Sequence, residues 1–315
     1  LPLRAVPMRS TEIRTGLQKT HTMNFSWDSF VKLFTKPLKA LPWSKDYSQT
    51  EHCKSAVKHF PGSLPNTDML DIVKNTLKEK GYDGDKILFA TSCCPDEINR
   101  DLDDQADHFG RAFCMGGLAG FPFVGRTGFK AFMHHVPADG CMFIICASHV
   151  GVDDTGKVGY VNRVGMKEAS SACGAAVGAY LNLMDKSESD IKKIAEGVDL
   201  LKDPLDTQMA YIQRLVALNF KRINEAPNPM AELAVLCAEK IKVDLDNILL
   251  DKIHFPLAIL NGIQINFEGD DVGDDYFYVI SFTFDDGHGN KVDLWKPLAG
   301  STAAAAKPTA APSAA

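Results

Sequence analysis

Apolar positions along the chain fall into two kinds of run. Short unbroken runs, 86–91 around Ile87-Leu88-Phe89-Ala90 and 141–147 around Met142-Phe143-Ile144-Ile145, are bounded by turn residues such as Asp139-Gly140. They read as strands buried on both faces, the pattern of a parallel sheet. Longer stretches carry apolar residues three and four apart and read as helices. Met69, Ile72, Val73 and Leu77 share one face between an Asn66-Thr67 cap and Gly81. Further helices are predicted over 48–60, from Pro95 to about Met115, from Ser170-Ser171 to about Asp185, from the capping-box start Ser187-Glu188-Ser189-Asp190, from Pro204, and from Pro229 to short of His254. A short amphipathic helix is predicted around Asn24 to Phe34. Strands at 257–267 and 276–284 follow, the second joined through Asp285-Asp286-Gly287-His288-Gly289-Asn290 to 291–295 as a hairpin.

Alternating strands and helices predict an α/β fold with a mostly parallel central sheet flanked by helices, extra N-terminal helices and a C-terminal β-hairpin. The expected organisation is an N-terminal helical arm over 1–62, the α/β domain over 63–298, and a disordered Ala/Pro-rich tail over 299–315. A glycine-rich segment, 116–128, lacks the spacing of a dinucleotide or phosphate loop and reads as backbone packed close to a site, with cofactor binding as the alternative.

Composition narrows the function classes. The chain has 315 residues, 45% hydrophobic, enough to bury an ordinary core. A formal net charge of -6 gives no global electrostatic case for nucleic acid or an anionic membrane. No apolar stretch approaches the roughly 20 residues of a membrane helix. Eight cysteines in a chain this long are not a disulfide scaffold; Cys141, Cys146 and Cys237 sit in apolar surroundings, and a reducing compartment is expected. The chain begins at Leu1, and its first 60 residues hold ten Lys and Arg against four Asp and Glu. That asymmetry fits the remnant of an organelle-targeted precursor or a solvated basic arm.

The candidate chemistry lies at the ends of the predicted strands. Ser92-Cys93-Cys94-Pro95-Asp96-Glu97-Ile98-Asn99-Arg100 follows one strand, His149 follows another, and Cys173 opens a helix. Ligands bind at the carboxyl ends of strands in open α/β sheets, and helix N-termini favour thiolates. Two thiolates and an imidazole form a zinc ligand set, and three protein ligands leave a position for water. The separations of 55 and 24 positions make no local signature, so one reactive cysteine beside two unrelated residues stays open. Asp96 and Arg100, four apart, would share a helix face as a carboxylate held for a water or as a surface ion pair. His134 and His135 are read as proton shuttles or as exposed structural residues, and Cys93 as a core residue pointing away from the site.

The motif Cys94-Pro-Asp-Glu-Ile-Asn-Arg100, the Ser-His149-Val-Gly segment and the Ser-Ala-Cys173-Gly-Ala segment, in this order, resemble the limiting-CO2-inducible protein B/C family of microalgae, which resembles β-type carbonic anhydrases. The resemblance covers about residues 40 to 295. It implies a zinc site of Cys94, His149 and Cys173, with Asp96 and Arg100 as the aspartate–arginine dyad. In β-type enzymes the arginine stands two residues nearer than Arg100 does, which leaves Arg163 as an alternative partner for Asp96. The implied activity is zinc-dependent reversible hydration of CO2 to bicarbonate in inorganic carbon concentration, in the chloroplast stroma. Homodimers and hetero-oligomers with a paralogue are also implied. Zinc lowers the pKa of a bound water to about 7, which makes a nucleophile for CO2 available at neutral pH. When the arginine lets go, the aspartate can take the water's place and silence the site. The alternatives are a zinc-binding subunit that works by assembly and a cysteine hydrolase using Cys94 with His149.

Overall fold

A computed structural model of the chain describes residues 48, 50–197, 203–249, 254–267 and 273–295. The helix expected at 24–34, most of the basic arm and the tail lie outside them. Nine helices of the described residues, in chain order, are α1 Glu51–His59, α2 Asn66–Glu79, α3 Arg100–Gln105, α4 Gly125–Met133, α5 Gly174–Met184, α6 Glu188–Glu196, α7 Thr207–Leu218, α8 Phe220–Asn224 and α9 Pro229–Ile248. The strands are β1 Leu64–Pro65, β2 Ile87–Ser92, β3 Phe113–Cys114, β4 Cys141–Gly151, β5 Tyr160–Val161, β6 Ser170–Ser171, β7 Leu257–Asn266, β8 Tyr276–Asp285 and β9 Lys291–Asp293. No helix of these residues is long and apolar enough to cross a membrane.

The central sheet has the order β1-β8-β7-β4-β2-β3, with β9 also on β8. Strands β3, β2, β4 and β7 run parallel, whereas β8 is antiparallel to β7 and carries β1 and β9 on its far side. The mostly parallel sheet and the C-terminal hairpin of the sequence reading are therefore present.

Successive side chains of a strand point to opposite faces, so β4 feeds two cores at once. Met142, Ile144 and Cys146 join Phe132, Val177, Val216 and Ile241 on one face. Cys141, Phe143, Ile145 and Ala147 join Phe89, Phe109, Leu102 and Phe282 on the other. Helix α1 belongs to a third cluster, where Cys53, Ala56 and Phe60 meet Val150, Val152, Ile263 and Ile265.

Local signals place the helix starts. Ser187 accepts from the Asp190 N–H, and Asn228 accepts from Met230 and Ala231 at 3.1 Å each ahead of Pro229. Helix α7 begins at Thr207, after Asp206, rather than at Pro204. The helix expected from Pro95 to Met115 is broken up. Residues 97–99 form a 3₁₀ turn, α3 lasts six residues, a second 3₁₀ turn ends at Gly110 with φ 96°, and Phe113–Cys114 pairs with β2. Asp96, at φ -54° and ψ 132°, stands outside any helix. The glycine-rich segment packs as expected. A Cβ on Gly116 would lie 2.1 Å from the Cys93 carbonyl, and one on Gly120 would lie 2.0 Å from that of Ala147.

Candidate metal centre

Three elements deliver the candidate ligands to the carboxyl edge of the sheet. Cys94 comes two residues after β2, His149 lies within β4 near its end, and Cys173 caps α5. All three are buried, and their ligand atoms lie within 4.8 Å of one another. Sequence neighbours divide between the faces: Cys94 joins the core that holds Cys173, while Cys93 packs in the opposite one.

His149 is held from behind. Its Nδ1 lies 3.0 Å from Asn266 Oδ1, and its Nε2 is buried with no hydrogen-bond partner among the described residues. A buried ring nitrogen costs free energy when unpartnered, so an atom aimed at two thiols fits a metal ligand. The thiols fit as well. Hydrogen bonding to Cys173, with burial second, pushes Cys94 up. The same hydrogen bond pulls Cys173 down against its burial, helped by the amides of Ala176 and Ala175 at the start of α5. A Cys-His-Cys set of this kind can hold a metal.

Asp96 stands at the edge of the set, its Oδ2 4.0 Å from His149 Nε2. Its partner is Arg163, from the β5–β6 connection. Arg163 Nη1 and Nη2 donate to Asp96 Oδ1 and Oδ2 at 2.9 Å each, Nε donates to Ser170 Oγ at 2.9 Å, and Nη1 also meets Glu97. Burial pushes the Asp96 carboxyl up, but the Arg163 hydrogen bonds and charge outweigh it and hold it below the usual carboxylate range. Arg100 does not reach Asp96. It pairs with Asp103 at 2.7 Å and donates to the Cys94 carbonyl at 3.1 Å. The i,i+4 argument for Arg100 fails because Asp96 precedes the helix, and a 3₁₀ turn separates the two.

The histidine pair is brought nowhere near. His134 and His135 are exposed after α4 and before β4, whereas His149 is eight residues along that strand, roughly 26 Å from its start. Asn266 carries no motif in the sequence. The available signal is that Gln264 and Asn266 interrupt an apolar strand yet are both 1% exposed or less.

A cavity of about 10 Å³, room for one water-sized molecule, lies on the core side of His149 and Cys173, lined by apolar side chains including Val177, Met230 and Leu233.

A family model described as limiting CO2-inducible proteins B/C beta carbonic anhydrases matches residues 63–286. The chain belongs to this family. Among solved structures, this family member is similar to PtLCIB4, a homolog of the limiting CO2-inducible protein LCIB, at 33% identity, with 76% of this chain and 98% of that chain covered and a TM-score of 0.68. It shares the fold of LCIB itself at 20% identity, with 80% and 99% covered and a TM-score of 0.61. No curated protein sequence matches it. The β-carbonic-anhydrase-like α/β architecture is thus a property of the family and of this chain.

Proposed function

We propose that the protein is a zinc-dependent carbonic anhydrase that interconverts CO2 and bicarbonate. The observation that carries the reading is the buried Cys94–His149–Cys173 set with Asp96 clamped at its edge by Arg163. Bound zinc would supply Lewis-acid activation of a water, lowering its pKa to about 7. Cys94 and Cys173 would hold the ion as thiolates and His149 through Nε2. Asp96, kept ionised by Arg163, is an acceptor that can orient a water beside the ligand set. Both its oxygens are engaged by the guanidinium, so the clamp also keeps the carboxylate from turning inward onto the metal position. CO2 is small and apolar, and the buried, largely apolar side chains around His149 and Cys173 suit such a substrate.

The cysteine-hydrolase reading has less support, since Cys94 is buried and its thiol is pushed up, the reverse of an activated nucleophile. We further propose that it acts in inorganic carbon concentration in the chloroplast stroma, assembled as a homodimer or with a paralogue.

Metal analysis and stopped-flow CO2 hydration on the purified chain test the proposal. Stoichiometric zinc with a hydration rate well above buffer is expected. Full zinc loading with a rate no better than buffer would reduce the protein to a zinc-binding subunit that works by assembly. Folded protein that holds no stoichiometric zinc and hydrates no CO2 would return the hydrolase.

A further inference from the structure

We propose that Asn266 and Asp275 are positioning residues that fix the tautomer and aim of His149. The proposal rests on the metal-centre reading above and concerns how this chain prepares its imidazole.

Asn266 is the last residue of β7 and sits opposite Gly151 of β4, so its side chain enters the layer that holds His149. It is fully buried. Its Nδ2 donates to the Ile98 carbonyl at 3.0 Å and to Asp275 Oδ2 at 2.9 Å, and its Oδ1 lies 3.0 Å from His149 Nδ1. The chemistry of the partners decides which end of the amide faces the ring. A peptide carbonyl accepts only, and so does a carboxylate, so both demand the NH2 group. The amide oxygen is left for the imidazole, and it accepts only. Nδ1 must therefore carry the ring proton, which leaves Nε2 with a free lone pair aimed at Cys94 and Cys173.

Asp275 is what keeps Asn266 from turning over. It is 6% exposed and accepts from Gln264 Nε2 at 3.0 Å, Asn266 Nδ2 at 2.9 Å and the Phe267 N–H at 2.7 Å. Burial, with Asp101 adding to it, pushes the carboxyl up to about 7, against the pull of these three donors. Its position is fixed from outside as well. The preceding residue, Asp274, binds Thr67 at 2.9 and 2.8 Å and Gln105 at 2.8 Å, which ties the start of β8 to α2 and α3. Through the Ile98 carbonyl, Asn266 also fastens the segment that follows Cys94. One amide thus sets two of the three candidate ligands.

The first measurement needs no substitution. In the full-length chain labelled with ¹⁵N-histidine, at a pH above the imidazole range, the His149 signal is identified by its loss in His149→Ala. A proton on Nδ1 is expected, and a proton on Nε2, directed at Asp96 4.0 Å away, overturns the proposal. The second measurement is Zn²⁺ and Co²⁺ affinity. Asn266→Ala and Asp275→Asn should each weaken binding about 10- to 100-fold and give mixed tautomers. The double variant Asn266→Ala/Asp275→Asn should weaken binding no further than Asn266→Ala alone, because Asp275 acts on the imidazole only through Asn266. Lowered thermal stability with unchanged affinity and tautomer would mark the pair as packing only and overturn the proposal. If Asn266→Ala does not fold, the tautomer of the unmodified chain and the Asp275→Asn variant still decide. An unmodified chain that takes up neither ion while holding the Nδ1 proton defeats the proposed function and leaves the positioning assignment standing.

Discussion

Replacing Arg163 by methionine keeps most of the side-chain stem and removes the guanidinium that grips Asp96. Exposed ion pairs contribute about 0–1 kcal/mol, while breaking a buried pair costs about 3–5 kcal/mol. The Arg163 and Asp96 side chains are 19% and 13% exposed and joined by two hydrogen bonds, which puts the pair nearer the buried limit. A coupling of about 2 kcal/mol is expected from a double-mutant cycle of Arg163→Met and Asp96→Asn, measured by urea unfolding at neutral pH. The same cycle with Arg100→Met should give almost none, because Arg100 engages Asp103 and a backbone carbonyl. The coupling has a pH signature. Asp96 is held below the usual carboxylate range in the fold, so above that range its stabilisation is fully present. It fades as the pH falls through the folded-state pKa and Asp96 takes up a proton. An Arg100–Asp96 coupling equal to that of Arg163, or an Arg163 coupling that persists in acid, would refute the assignment.

Three further outcomes are expected. Cys94→Ala and Cys173→Ala should lose stoichiometric zinc by elemental analysis, whereas Cys93→Ala, on the opposite face, should keep it at a stability cost of about 1 kcal/mol. Gly120→Ala forces a Cβ to 2.0 Å from the Ala147 carbonyl at φ +86°, so the melting temperature should fall by about 6–12 °C, and a change near zero would contradict the packing. Asn228→Ala removes the acceptor for two amides at the start of α9 and should cost about 1 kcal/mol in chemical unfolding.

Which parts of this were legible in the sequence follows from how locally each is encoded. Unbroken apolar runs marked β2 and the first seven residues of β4, because a strand buried on both faces needs apolar residues throughout. The last four residues of β4, Ser148 to Gly151, were not marked as strand, since a serine and a histidine look like a turn. They are nonetheless buried, with Ser148 donating to the Ala234 carbonyl. The convergence of Cys94, His149 and Cys173 was readable because each stands near an element boundary. The Asp96–Arg163 pair was not, since 67 positions separate the two residues and only the β5–β6 connection brings them together. The broken helix after Pro95 has a similar cause. Its acidic letters resemble a helix start, but β3 must return beside β2 within a few residues, and Gly110 at φ 96° makes the turn. Asn266 and Asp275 carry meaning only through contacts made after folding.

The Cys93-Cys94 doublet sets the chain a problem of selection. A strand displaced by one residue would offer Cys93 to the ligand set in place of Cys94, so thiol chemistry by itself cannot reject the error. The aromatic ring four residues earlier can. Phe89 packs against Phe109 and Phe143 with ring centroids 5.6 and 5.5 Å away, and the adjacent slot on the other face belongs to Ala90, which is fully buried. A slipped strand would have to press a phenylalanine into the space of a methyl group while leaving a leucine in the aromatic cluster behind it. The choice of candidate ligand cysteine is thus proofread by a side chain that packs in the opposite core.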